Sequence, residues 1–270
     1  MAGSIDLRRD GHAAILTISH EARRNALSLA MWRMLPTLVA EASADPDIRV
    51  VVLEGAGPKA FCAGADISEF ATLRDTPEQV EAYEVAVDRA LTTLAACPKP
   101  TVAAIRGVCF GGGLELALAC DLRLADDSAL FRMPGAQLGL GYTLSAIEMF
   151  VQRIGQAATA EIMFAGRAFG AADALRFGVV QNVHPRESFE TERDALVDTI
   201  AGNAPLTLIA TKRALIELAR PAGARDAAAV DALVAACFAS SDYAEGRKAF
   251  SEKRRPLFKA AAETAPIERK

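Results

Sequence analysis

An α/β fold with a helical C-terminal part is what these 270 residues predict. Three observations carry the prediction. A β-rich run, Thr101 to Arg106, leads through a glycine-rich turn into an apolar segment, Leu114 to Ala119, that reads as a buried helix. On either side of it, strand pairs followed by helices recur about three times with unequal lengths, the pattern of one layered core. From Gln156 onwards the pattern becomes mostly helical.

Taken in order, residues 4–10 and 13–18 flank Asp10-Gly11-His12, and Ile15 and Thr17 favour strand, so the chain opens with a hairpin. His20 to Leu27 is a polar connection carrying Arg23 and Arg24, either a solvated loop or a loop base beside an anionic ligand. Ser28 caps a helix running to about Ala44, closed by Asp45-Pro46, and the valine-rich Arg49 to Glu54 is a buried strand. After the turn Gly55 to Lys59, the small apolar stretch Ala60 to Ile67 ends near Asp66. A loop after a buried strand commonly carries function. Thr76-Pro77-Glu78 starts a helix continued by the Val, Leu and Ala spacing over 80–96, and Pro98 and Pro100 end it.

Beyond the central helix, Leu122 to Ala125 and Ala129 to Met133 are short strands, Gln137 to Tyr142 is a glycine-rich connection, and Leu144 to Arg153 is a helix. Helices follow over 158–165, 171–177, 188–201, 205–219 and 225–239, with Val179 to Val183 as the strand among them. Their apolar faces need cover from the core or from another subunit. Residues 242–256 are locally basic and alone read as a solvated terminal helix.

Composition excludes several classes. With 51% apolar and 24% charged residues and a net charge of −4, the chain reads as globular, and neither disorder nor a nucleic-acid surface is indicated. Asp6, Arg8, Arg9 and Asp10 interrupt any apolar stretch at the start, so no signal peptide is expected. Without an uninterrupted apolar run of bilayer length, the expectation is a cytoplasmic protein with no membrane partner. Five cysteines without CxxC spacing read as reduced, packed thiols rather than a disulfide frame or a zinc site, and no metal site is expected. Cys109 lies near the glycine turn, but His12, His20 and His184 offer it no obvious partner, so it reads as packing.

The chemistry is placed at Gly107 to Asp121. The first N–H groups of a helix have no intrahelical partner, and glycines there let a ligand oxygen approach donors aimed by the helix dipole. Glu115 adds a carboxylate in the first turn. The glycine spacing does not follow the dinucleotide fingerprint.

Together, Arg24-Asn25-Ala26-Leu27, Phe61-Cys62-Ala63-Gly64-Ala65-Asp66-Ile67, Gly107 with Gly111-Gly112-Gly113-Leu114-Glu115-Leu116-Ala117, Ala168 to Gly178, and Asp242-Tyr243 with Glu245, Gly246, Phe250, Lys253 and Arg254 resemble the enoyl-CoA hydratase/isomerase (crotonase) superfamily. The match runs in order over nearly the whole chain. It implies a ClpP/crotonase-type spiral of ββα units over residues 1–200, a helical trimerisation region over 201–270, and homotrimers that often pair into hexamers. It further implies that the N–H groups of Ala65 and Gly112 form an oxyanion hole for the thioester carbonyl of an acyl-CoA. Two such donors at roughly 2.7–3.1 Å stabilise the enolate more than the ground state, each by about 3 kcal/mol. By the same resemblance the CoA moiety lies along Arg24, Ala26, Ala63, Asp66 and Ile67, with Phe250 and Lys253 reaching its nucleotide from an adjacent subunit. Coenzyme A is then part of the substrate, and no separate cofactor is implied.

One position breaks the pattern. Hydratases of the superfamily use two glutamates, of which Glu115 matches one, whereas the second position is Gly135. Two carboxyl groups together hold the water, take its proton and protonate the α-carbon. Gln137, Tyr142 and Glu148 are alternative donors nearby. The segment Leu138 to Leu144 resembles the turn of methylmalonyl-CoA decarboxylases, in which a tyrosine at the place of Tyr142 approaches the substrate carboxylate, although Ala65 stands where those enzymes usually have histidine. Three functions stay open: a hydratase-like lyase using Glu115, a methylmalonyl-CoA-type acyl-CoA decarboxylase, and a non-catalytic acyl-CoA-binding protein.

Overall fold

The computed structural model describes residues 3–259. β1 (Ser4–Asp10) and β2 (Ala13–Ser19) pair antiparallel, closing on Asp10 opposite Ala13. α1 (Leu29–Ala44) begins where the Ser28 side chain accepts a hydrogen bond from Met31 N, and it buries Met31, Trp32, Leu35 and Val39. The chain then enters β3 (Val50–Gly55), parallel to β2.

Three successive strand pairs obey one rule: the first strand joins a large sheet and the second a small one. The pairs are β3 with β4 (Ala60–Cys62), β5 (Thr101–Ile105) with β6 (Val108–Phe110), and β7 (Leu122–Asp126) with β8 (Leu130–Arg132). Helices follow each pair, namely α2 (Phe70–Leu73) and α3 (Pro77–Ala95), then α4 (Gly112–Ala119), then α5 (Gly135–Leu138) and α6 (Leu144–Ala165). The remaining elements are β9 (Phe169–Gly170), α7 (Ala171–Arg176), β10 (Asn182–His184), α8 (Phe189–Ala201), α9 (Pro205–Leu218), α10 (Ala227–Ala239) and α11 (Ser241–Ser251). The large sheet has the order β1-β2-β3-β5-β7-β10 and the small one β4-β6-β8-β9. The repetition makes a spiral of ββα units. Because β4, β6 and β8 are parallel neighbours, the three loops that leave them emerge side by side.

α4 lies in the middle of the core, with every residue from Gly113 to Ala119 buried, as a helix apolar on every face but for Glu115 must be. A buried helix end needs partners for its last carbonyls. Arg123 Nη1 donates to Cys120 O at 2.7 Å, and Arg153 Nε to Leu118 O at 3.1 Å, so two cations sit at the negative end of the helix dipole. Lys212 of α9 donates to both carboxylate oxygens of Asp121 at 2.5 Å, tying the C-terminal helices to the end of α4.

Some elements differ from the sequence expectation. The glycine turn contains β6, three residues that show no period of their own and become a strand only by pairing between β4 and β8. Gly107 allows this, with φ +61° and a Cβ position only 2.2 Å from Lys59 O. The separate helices expected over 144–153 and 158–165 adjoin across a break at Gly155, and the strand expected over 179–183 forms at Asn182–His184. α10 buries none of its residues, and Val234 and Phe238 stand exposed on it. Residues 260–270 of the expected C-terminal region lie outside the described residues. Among the described residues no single helix is long and apolar enough to cross a membrane.

Candidate active site

The loops leaving β4, β6 and β8 bring Ala63–Asp66, Gly111–Gly112 and Met133–Gly135 together, and Gly111 N donates to Arg132 O at 2.9 Å between two of them. The loop after β4 is pinned by Leu27, whose N–H donates to Gly64 O and whose carbonyl accepts from Asp66 N, each at 2.8 Å. In an extended segment successive N–H groups alternate, so Ala65 N–H faces away from Leu27. It makes no hydrogen bond among the described residues, and neither does Gly112 N–H at the start of α4. Gly64 has φ +96°, and a Cβ there would lie 2.9 Å from Phe110 O and 3.2 Å from Gly112 N. Only glycine lets the first loop approach Gly112 this closely.

Glu115 stands in the same first turn of α4, buried at 9% exposure. Its Oε2 is 3.6 Å from the Cβ position of Gly112, where the Trp32 ring closes the other side at 2.9 Å. Burial pushes its carboxyl up to about 7, the negative charge of Glu84 adds to the shift, and Arg74 opposes it. Such a group is half ionised near neutrality and able both to take and to return a proton.

Opposite Glu115, Tyr142 occupies the place of the missing side chain. A Cβ on Gly135 would fall 2.2 Å from Tyr142 Oη and 2.5 Å from two ring carbons. Gly135 N–H donates to Oη at 3.0 Å, which leaves the phenol proton free for another acceptor. Burial raises the Tyr142 phenol above its ordinary value, an effect the Gly135 hydrogen bond opposes and the Glu115 charge reinforces. Of the other donors considered near this turn, Gln137 is exposed and bonded to Arg132, and Glu148 is exposed and bonded to Gln152.

These groups line one cavity of about 580 Å³ that continues past α3 and α6 to α9. Ala63, Ala65, Ile67, Gly112, Glu115 and Tyr142 lie on its wall, whereas Arg24, Ala26 and Asp66 do not. Arg24 is exposed in a left-handed conformation and Ala26 is buried. The Asp66 carboxylate accepts from Ser68 N at 3.0 Å, from Ser68 Oγ at 2.7 Å and from Arg23 at 2.9 Å. Burial would raise its pKa, but these bonds and the Arg23 and His20 charges hold it below the usual carboxylate value. Phe250, 87% exposed, lies instead along the groove between α9, α10 and α11, and Lys253 follows α11 at φ +53°. Cys109 is buried, and burial together with the neighbouring Cys62 and Cys120 holds its thiol well above the ordinary value, the condition of a packing residue.

The sequence reading did not find Trp32, Arg74 or Glu84 on this wall. Trp32 and Glu84 lie within predicted helices, whose apolar spacing reports burial but not which cavity a residue borders, and Arg74 lies in a connection without a motif.

Three comparisons relate the chain to known proteins. A sequence model described as Enoyl-CoA hydratase/isomerase matches residues 10–261. The chain is 31% identical over 261 residues to the (E)-benzylidenesuccinyl-CoA hydratase of Thauera aromatica, covering 95% of this chain and 99% of that one. It is 29% identical over 254 residues to the short-chain-enoyl-CoA hydratase of Clostridium acetobutylicum, covering 93% and 96%. The crystal structure of an enoyl-CoA hydratase/carnithine racemase from Magnetospirillum magneticum superposes with a TM-score of 0.89 at 39% identity, over 95% of each chain.

Proposed function

Since the chain belongs to the enoyl-CoA hydratase/isomerase family, whose members act on acyl-CoA thioesters, we propose that it hydrates 2-enoyl-CoA thioesters, with Glu115 as the proton carrier and the N–H groups of Ala65 and Gly112 as the oxyanion hole. The observation that carries this reading is the buried Glu115 carboxyl, near neutrality in pKa, beside two unpaired backbone donors. In the proposed step ionised Glu115 takes a proton from water as the water oxygen bonds to C3. The electron pair of the double bond moves onto the thioester oxygen, where the two N–H groups hold it. Protonated Glu115 then returns its proton to the α-carbon, and the electrons return from oxygen. The free phenol proton of Tyr142 orients the water in place of a second carboxyl group.

A second reading, decarboxylation of a methylmalonyl-type acyl-CoA, is favoured by one observation: the Tyr142 hydroxyl fills the space of a side chain at Gly135. It needs the hole and an oriented carboxylate but no strong base. The exposed apolar surface of α10 supports assembly into a homotrimer, or a hexamer of two trimers, with Phe250 and Lys253 then brought towards the CoA of a neighbouring subunit. We place the protein in the cytoplasm, and coenzyme A enters only as part of the substrate.

A mass-spectrometric screen of enoyl-, malonyl- and saturated acyl-CoA thioesters separates the readings. Gain of water that disappears in Glu115→Gln supports the first. Loss of CO₂ that disappears in Tyr142→Phe supports the second. Binding without any turnover rejects both and leaves a non-catalytic acyl-CoA-binding protein.

A further inference from the structure

Four cations line the cavity, Arg74, Arg153, Lys212 and Arg220, and the proposed chemistry uses none of them. Arg74 follows α2, and its guanidinium carbon lies 4.7 Å from the ring centre of Phe70 and 4.9 Å from that of Tyr83. The side chain is 12% exposed and forms an ion pair with Glu84, the residue after Tyr83 on α3. Its other N–H groups make no hydrogen bond among the described residues, so a fork of five donors is committed to a single acceptor.

The two charges of this pair are not equally available. Glu84 is 37% exposed and screened by solvent, whereas Arg74 is 12% exposed and backed by two aromatic faces. Along the cavity beyond them the wall turns apolar at Val87, Leu91 and Met149. A weakly hydrated guanidinium in such surroundings binds a planar carboxylate strongly and discriminates against a methyl group that leaves its donors unpaired. We propose that Arg74 is a specificity-determining residue, selecting acyl groups that carry a second carboxylate, the dicarboxylic acyl-CoA thioesters, over neutral acyl groups of equal length. This rests on the acyl-CoA reading of the same cavity. Glu84 holds the guanidinium in place and competes for it, so it sets how strongly the substrate carboxylate is preferred.

The test uses the full-length protein and unreactive thioesters matched in chain length: succinyl-CoA against butyryl-CoA, and glutaryl-CoA against pentanoyl-CoA, with Kd measured by calorimetry. The expected result is a preference of about tenfold or more for the dicarboxylic member of at least one pair. Arg74→Met is expected to erase that preference, and Glu84→Gln to increase it. Equal or tighter binding of the neutral members of both pairs overturns the proposal but leaves the acyl-CoA reading standing. Failure of every thioester to bind overturns both. Should Arg74→Met not fold, a preference that is unchanged or reduced in Glu84→Gln overturns the proposal on its own.

Discussion

Replacing Gly135 by glutamate restores the carboxyl group that the superfamily pattern has at this position, yet the geometry predicts that the single substitution damages the protein. The Cβ alone lands 2.2 Å from Tyr142 Oη and 2.5 Å from ring carbons Cε2 and Cζ, so the ring has to move by more than an ångström to reach ordinary contact. Overpacking of this kind costs roughly 1–3 kcal/mol. Displacing the ring also breaks the 3.0 Å hydrogen bond from Gly135 N to Oη, worth about 1 kcal/mol. The expected loss for Gly135→Glu is therefore about 2–4 kcal/mol, a fall in Tm of order 5–10 °C for a chain of this size. Tyr142→Ala removes the obstruction. In the double variant Gly135→Glu/Tyr142→Ala the damage should be partly repaired, with a coupling of about 2 kcal/mol between the two sites. Urea unfolding of the four proteins at one fixed concentration measures this cycle, and the loss of crotonyl-CoA absorbance on hydration measures activity alongside. Water addition should be slowest in Gly135→Glu and should recover in the double variant, where a second carboxyl has room beside Glu115. Stability losses that simply add, or Gly135→Glu as stable as the parent, would refute the claim that Tyr142 occupies the site of that side chain.

Glu115 makes a prediction about pH. Its folded pKa of about 7 lies above the ordinary 4.5, so between these values the native state binds more protons than the unfolded state, and stability falls as pH rises through that window. Glu115→Gln should therefore be close to neutral at pH 4 and stabilising by about 3 kcal/mol at pH 8, measured by denaturant unfolding at both pH values. Stabilisation of equal size at the two would contradict the burial argument. In the same assays hydration should rise with pH through about 7 as Glu115 ionises, whereas a decarboxylation that uses no base should lack this rise. The adjacent glycines of α4 should separate catalysis from folding. Gly113→Ala puts its Cβ 2.3 Å from Cys62 O, a backbone atom that cannot yield, and should not give a stable fold. Gly112→Ala meets the Trp32 ring at 2.9 Å, so the protein should fold with kcat reduced about 100-fold or more as the donor is displaced. A folded Gly113→Ala protein, or a Gly112→Ala protein of full activity, would reverse that assignment.

Sequence patterning and tertiary packing divide the explanation between them. Local signals mark the opening hairpin, the Ser28 and Thr76 helix starts, the strand at Thr101 and the buried helix carrying Glu115, because hydrophobic period, caps and prolines act within a few residues. Motif order over nearly the whole chain identified the superfamily, and Gly135 stood out as a departure on sequence alone. What the sequence does not contain is proximity. Val108–Phe110 is a strand only because β4 and β8 flank it, and Ala65 N–H is unpaired only because Leu27 takes the carbonyl before it and the N–H after it. The Asp66 carboxylate is engaged by Ser68 and Arg23, and Arg74 reaches the cavity from a connection that shows no motif. The sequence by itself therefore determined the family, the long helices, most strands of the large sheet and the position of Glu115. Tertiary structure alone decided that Tyr142 replaces the second side chain and that burial raises Glu115 towards neutrality, since close approach and desolvation belong to chain segments brought together only in the fold.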